Sequence, residues 1–312
     1  MRSLFVMDWI DSLDLSGDST FMLMLESTRR GWEVAWCHPT EMWAEAGQAR
    51  ARAQRVRATA AGFERGDWAE RSLGDFDVVW MRKDPPFDMT YIFTTYLLDL
   101  VPPRTLVLNH PAGLRSRNEK LFAAAFVDLT PPTLISRDAR RILAFTEALP
   151  GRVVLKPWDG NGGRGVLVSQ RGDPNLRSMV ELLTDNGRSF ILAQQHLPEI
   201  AEGDKRIILV DGEPGGAVLR VPGHGDHRGN LHVGATAHPT TLTPRELEIC
   251  ARIGPTLRRE GLVFVGIDVI GGCLTEINVT SPTGIQEVNR FDGVALEARI
   301  VDAALSRHAE LA

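Results

Sequence analysis

The chain has 312 residues, of which 43% are hydrophobic and 24% are charged, and its formal net charge is −5. This length predicts about two domains with a sizeable core, and the acidic balance gives no sign of a nucleic-acid or anionic-lipid partner. Cys37, Cys250 and Cys273 lie far apart, which indicates neither a disulfide framework nor a zinc site and is typical of a reducing cytoplasm. Neither an apolar run of about 18 residues nor a secretory signal pattern is present, so we expect a cytoplasmic protein without a membrane partner.

The first third of the chain alternates between short apolar runs and amphipathic segments. The apolar runs predict strands at residues 4–7, 33–37, 77–81 and 105–108. One helix is predicted from the capping residue Asp18 or Ser19 to Gly31, and a second at residues 91–100. Because strand, helix and strand follow one another closely, we expect a right-handed crossover and a parallel sheet. The sequence thus predicts an open α/β unit over residues 1–117.

Charged turns follow two strands of this unit. Asp8 follows the first strand, at the edge where open α/β sheets hold ligands, although it could equally cap a helix or loop. Arg82 and Asp84 follow the third strand, and the two prolines after them make the backbone rigid. The guanidinium of Arg82 could clamp a substrate carboxylate. A surface turn with incidental charges is the alternative.

A basic stretch at residues 48–58 alternates small residues with arginines. Arginines in this pattern could form a nucleic-acid patch. No aromatic residues are interleaved with them, and the chain as a whole is acidic. The stretch is better interpreted as the solvent face of an edge hairpin, where charge also discourages aggregation.

The middle of the chain carries a glycine-rich turn between predicted strands at residues 152–157 and 166–168. Residues 160–165 hold four glycines, whose exposed N–H groups can fold over phosphate oxygens. Lys156 strengthens this interpretation, because a lysine in an apolar strand needs a nearby anion. No helix follows the turn, so it is neither a P-loop nor a dinucleotide fingerprint. A mobile surface turn would look the same.

Two later segments are predicted to border a nucleotide or a reaction site. A strand at residues 191–197 leads into the linker 198–203, where backbone groups could pair with an adenine edge. Residues 222–234 contain three histidines and four glycines. Their spacing matches no zinc signature, so a closing lid that delivers Arg228 is favoured over a metal site.

Near the C-terminus, predicted strands at residues 263–270 and 273–279 flank the turn Gly271-Gly272. Period-2 geometry places three oxygen-bearing side chains together on this hairpin: Asp268, Glu276 and Asn278. Hard oxygen ligands of this kind suit Mg²⁺ with substrate phosphates. A solvated strand face is the alternative, although acids in so apolar a run are costly to bury unpaired.

The turn that follows, residues 281–284, carries the hydroxyls of Ser281 and Thr283. These hydroxyls and the free N–H groups beside them could hold a small carboxylate. A helix-capping turn is an equally good interpretation.

Taken together, these segments resemble the ATP-grasp ligases and, more narrowly, the bacterial glutathione synthetases. The motifs that carry the resemblance are RKDPPF at 82–87, NEKLF at 118–122, GDKR at 203–206, RGN at 228–230 and LTEINVTSPT at 274–283. The resemblance implies a mixed α/β (α+β) ATP-grasp fold in three units. These are an N-terminal open α/β domain at 1–117, a small central lid domain at 118–192 and a C-terminal antiparallel-sheet domain at 193–312.

The resemblance also implies roles for individual residues. ATP phosphates would be held by Lys120, Lys156 and the flap residues Gly160, Asn161, Gly162, Gly163 and Gly165. Adenine would be lined by Gln194, Gln195 and Leu197, with Asp204 at the ribose. Two Mg²⁺ ions, with Mn²⁺ possible, would be bound by Asp268, Glu276 and Asn278. Arginines facing an acyl phosphate would be Arg206, Arg220 and Arg228. Substrate contacts would come from Asp8, Arg82, Asp84, Asn230, Ser281 and Thr283.

The implied reaction joins γ-glutamylcysteine to glycine and cleaves ATP to ADP and phosphate, in a homo-oligomer that is a tetramer or a dimer. The sequence departs from the family at Asn161 and Arg164 of the flap, in the histidine-rich lid and after Gly284. A ligase for another dipeptide or amino acid and a catalytically silent nucleotide-binding module are the alternatives. The intact set of lysines and metal ligands argues against a silent module.

Overall fold

Three sheets form the scaffold in the computed structural model, which describes residues 1–160, 162–223, 229 and 234–311. The strands of the first sheet are β1 (Arg2–Val6), β2 (Glu33–Cys37), β3 (Met42–Glu45), β4 (Gln48–Thr59), β5 (Gly62–Ser72), β6 (Val78–Met81) and β7 (Leu106–Leu108). Those of the second are β8 (Thr133–Ser136), β9 (Arg152–Pro157), β10 (Leu167–Gln170) and β11 (Ile191–Gln195). Those of the third are β12 (Asp204–Val210), β13 (Glu213–Val221), β14 (Thr236–Pro239), β15 (Phe264–Ile270) and β16 (Cys273–Asn278).

Helices connect and cover these sheets. They are α1 (Ser19–Arg29), α2 (Met89–Leu98), α3 (Pro111–Ser116), α4 (Glu119–Ala123), α5 (Ala139–Ala148), α6 (Leu176–Leu183), α7 (Pro244–Arg259), α8 (Ile285–Asp292) and α9 (Leu296–Ala309). In the described part of the chain, none of them combines the length and the apolar character that crossing a membrane requires.

The first sheet confirms the predicted parallel pairing for four of its strands, whereas β3, β4 and β5 are joined to it by antiparallel pairing. β1 pairs in parallel with β2 on one side and β6 on the other, and β6 pairs in parallel with β7. The helix between β1 and β2 begins where predicted, because the carboxylate of Asp18 accepts a hydrogen bond from the backbone N–H of Phe21. The carboxyl ends of β1 and β6 therefore meet at one edge of the sheet.

The arginine-rich strand β4 is a hairpin strand with an exposed basic face, as predicted. Its alanines are buried, while Arg52, Arg55 and Arg57 are exposed on the other face. Its predicted edge position is wrong, because β4 pairs with β2 as well as with β3 and β5. The arginines thus shield the face of an internal strand.

The second sheet is small, antiparallel and covered by two helices. β9 and β10 form the predicted hairpin around the glycine-rich turn, and β11 lies between β9 and β8. Val153, Leu155 and Ile191 pack against Ile142 of α5 and Val180 of α6. Because β11 continues to Gln195, the whole of this strand belongs to the second sheet.

The third sheet is also antiparallel, with the order β14-β13-β12-β15-β16. Gly271 and Gly272 have positive φ values of 55° and 75°, as the predicted turn requires. Residues from this sheet and α9 pack into one core with the first sheet, as Phe264 and Ile300 do with Phe5. The predicted mixed α/β architecture with an antiparallel C-terminal sheet is confirmed.

Candidate active site

A cleft of about 760 Å³ is lined by residues of all three sheets and their loops. The predicted site residues that line it are Asp84, Lys120, Lys156, Gly160, Gly162, Gly163, Gln194, Gln195, Leu197, Asp204, Arg206, Arg220, Asp268, Glu276, Asn278, Ser281 and Thr283. Gly165, Asp8 and Arg82 are not among its lining residues. Asn161, Arg228 and Asn230 lie outside the described residues.

The predicted metal hairpin forms the floor of this cleft. Asp268 on β15 lies directly opposite Glu276 on β16, while Asn278 is paired with Gly266. The side chains of Asp268, Glu276 and Asn278 all reach the cleft. The local register of one hairpin thus brings two carboxylates and one amide together.

Asp268 is buried and enclosed by donors. Arg206 donates to it twice, from Nε to Oδ1 at 2.6 Å and from Nη2 to Oδ2 at 3.0 Å. Arg220 lies 2.9 Å from Oδ1, and Asn278 donates to Oδ2 at 3.2 Å. Burial raises the pKa of Asp268, but the charges and hydrogen bonds of the two arginines outweigh burial and hold this pKa below its ordinary value.

Asp204, at the start of β12, shares Arg220 with Asp268. Nη2 of Arg220 donates to Oδ2 of Asp204. Burial nevertheless raises the pKa of Asp204 to about 6, with Arg220 opposing the rise and Asp268 adding to it. Among the described residues, Oδ1 of Asp204 and Nε of Arg220 are buried without a hydrogen-bond partner. Such atoms in a cleft wall indicate groups that a ligand can satisfy.

Two lysines border the other part of the cleft. The ammonium group of Lys120, on α4, donates to the backbone carbonyl of Gly160 in the glycine-rich turn. Lys156, at the end of β9, donates to Oε1 of Gln194 at 3.2 Å and lies 3.7 Å from Oε1 of Glu276. Gln194 is held in turn by donating to Oγ1 of Thr133 at 2.9 Å. Lys120 thus contacts the glycine-rich turn, and Lys156 lies next to the hairpin that carries Glu276.

The glycine-rich turn needs its glycines for conformation as well as for space. Gly162, Gly163 and Gly165 have positive φ values of 57°, 77° and 70°. A Cβ atom on Gly160 would lie 2.7 Å from Cγ of Pro157. The turn therefore keeps backbone groups, rather than side chains, next to Lys120.

The charged turn after β6 divides its residues between the cleft and the interior. Asp8 pairs with Lys83 at 2.9 Å and accepts the backbone N–H of Asp84 at 3.0 Å, so it holds the turn that presents Asp84 to the cleft. Arg82 is buried, donates to the carbonyl of Pro282 at 2.9 Å and lies over the ring of Phe264. Its guanidinium joins the N-terminal sheet to the turn after β16, instead of lining the cleft as a clamp.

The turn at residues 281–284 precedes a helix, as one of its two interpretations expected, but no side chain of the turn caps that helix. It leads directly into α8, which the sequence analysis did not predict, and Gly284 precedes that helix with a φ of 126°. Ser281 and Thr283 both line the cleft, and the carbonyl of Thr283 accepts from Nη1 of Arg206 at 3.3 Å. The turn therefore both begins a helix and contributes to the cleft.

Sequence reasoning missed two polar residues that position this site. Glu119 lines the cleft and accepts from the backbone N–H and the hydroxyl of Thr280, at 3.3 and 2.7 Å. Burial raises the pKa of Glu119, against the hydrogen bonds from Thr280 and the charge of Lys120. Asn109, after β7, contacts the backbone of β15. The sequence signals available for these residues were the position of Glu119 in a motif that opens a helix and the position of Asn109 at the end of a strand.

The donor set on the hairpin is suitable for a hard divalent cation. Glu276 has a partly exposed carboxylate whose ion-pair partner among the described residues is Lys156. Asp268 and the amide oxygen of Asn278 complete a set of oxygen ligands that Mg²⁺ prefers. Because its third member is an asparagine, the set includes only two acids, and the described residues contain no group of three His, Cys, Asp or Glu side chains placed for a metal ion.

Two family models match nearly the whole chain. The ATP-grasp domain of prokaryotic glutathione synthetase matches residues 119–293, and its N-terminal domain matches residues 1–115. The glutathione synthetase of Brucella melitensis is 45% identical over 96% of this chain and 97% of its own length. Those of Synechocystis and Salmonella typhimurium are 43% and 41% identical, each over 98% of its own length and 96% and 98% of this chain.

Solved ATP-grasp structures share the fold at low identity. The D-cycloserine synthetase DcsG superimposes with a TM-score of 0.67 at 17% identity, covering all of both chains. The ATP-grasp ligase PsnB in complex with a minimal precursor gives a TM-score of 0.63 at 17% identity, over 98% of this chain and 99% of its own. The predicted ATP-grasp fold is thus confirmed. With both family models and full-length relatives above 40% identity, this chain belongs to the prokaryotic glutathione synthetase family.

Proposed function

We propose that this chain joins γ-glutamylcysteine to glycine and cleaves ATP to ADP and phosphate. Relatives named glutathione synthetase, 41–46% identical along almost the whole chain, support this reaction. The observation that carries the proposal is one cleft that holds two lysines, three oxygen donors and two buried arginines. These are the groups that bind a nucleoside triphosphate beside a carboxylate and neutralise the charge of its phosphates.

ATP is required because a carboxylate does not react with an amine at neutral pH. Transfer of the γ-phosphoryl group to the cysteinyl carboxylate gives an acyl phosphate. The amine of glycine attacks the acyl carbon, the new amide bond forms and phosphate leaves. No protein nucleophile takes part, so the residues of the cleft position the reactants and neutralise charge.

For the nucleotide, we assign the α and β phosphates to Lys120 and Lys156. The glycine-rich turn would cover the phosphates with its N–H groups, and Asn161 belongs to the same segment. The adenine would lie against residues 194–197, and Asp204 would face the ribose. The contact between Lys120 and Gly160 supports this assignment, because a phosphate could take the place of that carbonyl.

ATP-grasp ligases use ATP together with a divalent metal ion, and we assign that ion to Asp268, Glu276 and Asn278. We propose two Mg²⁺ ions, which Mn²⁺ could replace. When bound, such ions neutralise the charge of the terminal phosphates. Asp268 would give up part of its hydrogen bonding to the arginines when it binds a cation.

The arginines are assigned to the acyl phosphate. Arg206 and Arg220 are buried in the cleft wall, where their charges act in a low-dielectric environment. Arg228 and Asn230 belong to the segment expected to close over the substrates. Closure would keep water from hydrolysing the acyl phosphate.

Three further proposals concern the domain division, the oligomeric state and the location of the protein. We propose a division into units at residues 1–117, 118–192 and 193–312, and a homo-oligomer, either a tetramer or a dimer. We also propose a cytoplasmic location. Sedimentation equilibrium of the purified chain measures the oligomeric state directly.

The test of the function is a product assay with the purified chain. With γ-glutamylcysteine, glycine, ATP and Mg²⁺, we expect glutathione, ADP and phosphate in equal amounts, identified by mass spectrometry and phosphate release. Parallel assays with other amine acceptors and other dipeptide donors compare kcat/KM. Preference for another pair would point to a different ligase, and nucleotide binding without product would point to a silent module.

A further inference from the structure

Glu287 is a half-buried acid of the cleft that has no ion-pair partner among the described residues. It lies in the first turn of α8 and lines the cleft. Its Oε2 atom is buried and has no hydrogen-bond partner among the described residues. Asp268 and Asp204, by contrast, are paired with arginines, and Glu276 lies near Lys156. A carboxylate oxygen that is buried without a partner is costly, so a cationic ligand group suits this position.

Glu287 lines the cleft from elements other than those that carry the lysines. Gln286 donates to the backbone carbonyls of Leu15 and Asp18, at 2.9 and 3.1 Å, and so holds α8 against the loop after β1. That loop contributes Ser16 and Gly17 to the cleft lining. Lys120 and Lys156 come instead from α4 and β9. Glu287 therefore lines the cleft beside the loop after β1, on elements distinct from those assigned to the nucleotide.

The chemistry of the substrates limits which group can occupy this position. The dipeptide donor carries one ammonium group, on the α-carbon of its γ-glutamyl end. The acceptor glycine also carries an amine, but that amine must be free to attack. An acceptor held as an ammonium ion against a carboxylate has no lone pair for the reaction. The donor's α-ammonium is the group that can stay paired with a carboxylate throughout turnover.

We propose that Glu287 binds the α-ammonium of the γ-glutamyl head group and thereby sets which end of the donor faces the phosphates. This inference rests on the proposed function, because it concerns the donor of that reaction. The hydroxyls of Ser281 and Thr283 line the same cleft and are available to the head-group carboxylate. Glu287 is thus a specificity-determining residue. The binding of a donor that lacks the α-amino group would not depend on it.

The test compares two donors that differ in that one group: γ-glutamylcysteine and N-glutarylcysteine. In the wild-type protein we expect a higher KM for N-glutarylcysteine by about tenfold or more, the effect of one lost hydrogen bond between charged groups. Glu287→Gln should raise the KM for γ-glutamylcysteine by a similar factor and leave that for N-glutarylcysteine within about twofold. The KM values for ATP and glycine should not change. Glu287→Asp should recover part of the discrimination.

Asp292→Asn is the matched control, because it removes one negative charge from an exposed position of the same helix. It should behave like the wild type with both donors. If Glu287→Gln raised the KM equally for both donors, or raised only the KM for glycine, the inference would be overturned. Equal KM values of the wild-type protein for the two donors would also overturn it, and this measurement needs no variant. A wild-type protein that forms no glutathione would contradict the proposed function itself.

Discussion

Arg206 and Asp268 face each other across neighbouring strands and form a two-point ion pair, with Nε and Nη2 of one guanidinium on the two oxygens of one carboxylate. Only 8% of the Arg206 side chain and 5% of the Asp268 side chain are exposed. The pair fixes the direction of a carboxylate that we assign to metal binding. It also places a guanidinium in the cleft next to the carbonyl of Thr283.

Replacing Arg206 by lysine should preserve the charge but lose the two-point geometry. We expect a loss of about 1–3 kcal/mol in the free energy of unfolding, because one buried hydrogen bond to a charged group is lost. We also expect kcat to fall at least about tenfold, since the carboxylate is no longer held in one direction. Urea denaturation and steady-state kinetics measure the two effects. An unchanged kcat would show that this orientation does not matter for turnover.

Glu276→Gln should lower kcat by about 10²–10³-fold while the protein stays folded, because a neutral amide holds a divalent cation less well than a carboxylate. The measurement is kcat at saturating ATP and Mg²⁺, with the thermal unfolding midpoint as the check on folding. Glu248→Gln, at an exposed position on α7, is the matched control and should keep the wild-type rate. A variant at position 276 with a near-normal rate would remove this residue from the site.

Asp204 should make the folded protein less stable as pH rises. The pKa of Asp204 is about 6 in the folded protein against 3.8 ordinarily, so between these values the folded state holds a proton that the unfolded state has lost. The contribution of Asp204 to the free energy of unfolding is therefore fully present below about pH 4 and is lost as pH rises through about 6. At about 1.4 kcal/mol per pH unit, the loss amounts to roughly 3 kcal/mol.

Asp204→Asn tests this dependence, because an amide does not titrate. The difference in unfolding free energy between the wild type and this variant should decrease from pH 4.5 to pH 7. Asp268 does not obscure the trend, since its pKa lies below the ordinary value and it stays ionised in this range. A difference that is constant with pH would contradict the raised pKa of Asp204.

Asn109→Ala should destabilise the protein by about 3–5 kcal/mol, because four buried hydrogen bonds depend on one side chain. The amide of Asn109 donates to the carbonyls of Phe264 and Val279, and its oxygen accepts from the N–H groups of Val263 and Phe264. Chemical denaturation measures the loss. Asn175→Ala, at an exposed position without a side-chain capping bond, should change stability by less than about 0.5 kcal/mol. Similar values for the two variants would refute the role of Asn109.

Local patterns predicted the elements that carry most of the site. The turn Gly271-Gly272 and the period of two along the strands predicted that Glu276 and Asn278 lie on one face beside Asp268, and their positions in the structure agree. The parallel pairing of the first sheet followed from the short strand, helix and strand order. Both depend on interactions between residues close in sequence. Helix α8 was not predicted as an element, although Ile285 and Val288 have helical spacing, and residues 281–284 were interpreted only as a turn that could cap a helix.

The sequence by itself determined the hairpin, its oxygen donors and the glycine-rich turn, because local backbone preferences and side-chain period specify such features. Only the tertiary structure decided which charges meet. Arg82 was predicted to face a substrate, yet it bonds to the carbonyl of Pro282, 200 positions further along the chain. Arg206 and Arg220 were assigned to a phosphate, and in the fold they also neutralise Asp268. Pairings of this kind arise from the packing of strands distant in sequence, which no local pattern encodes.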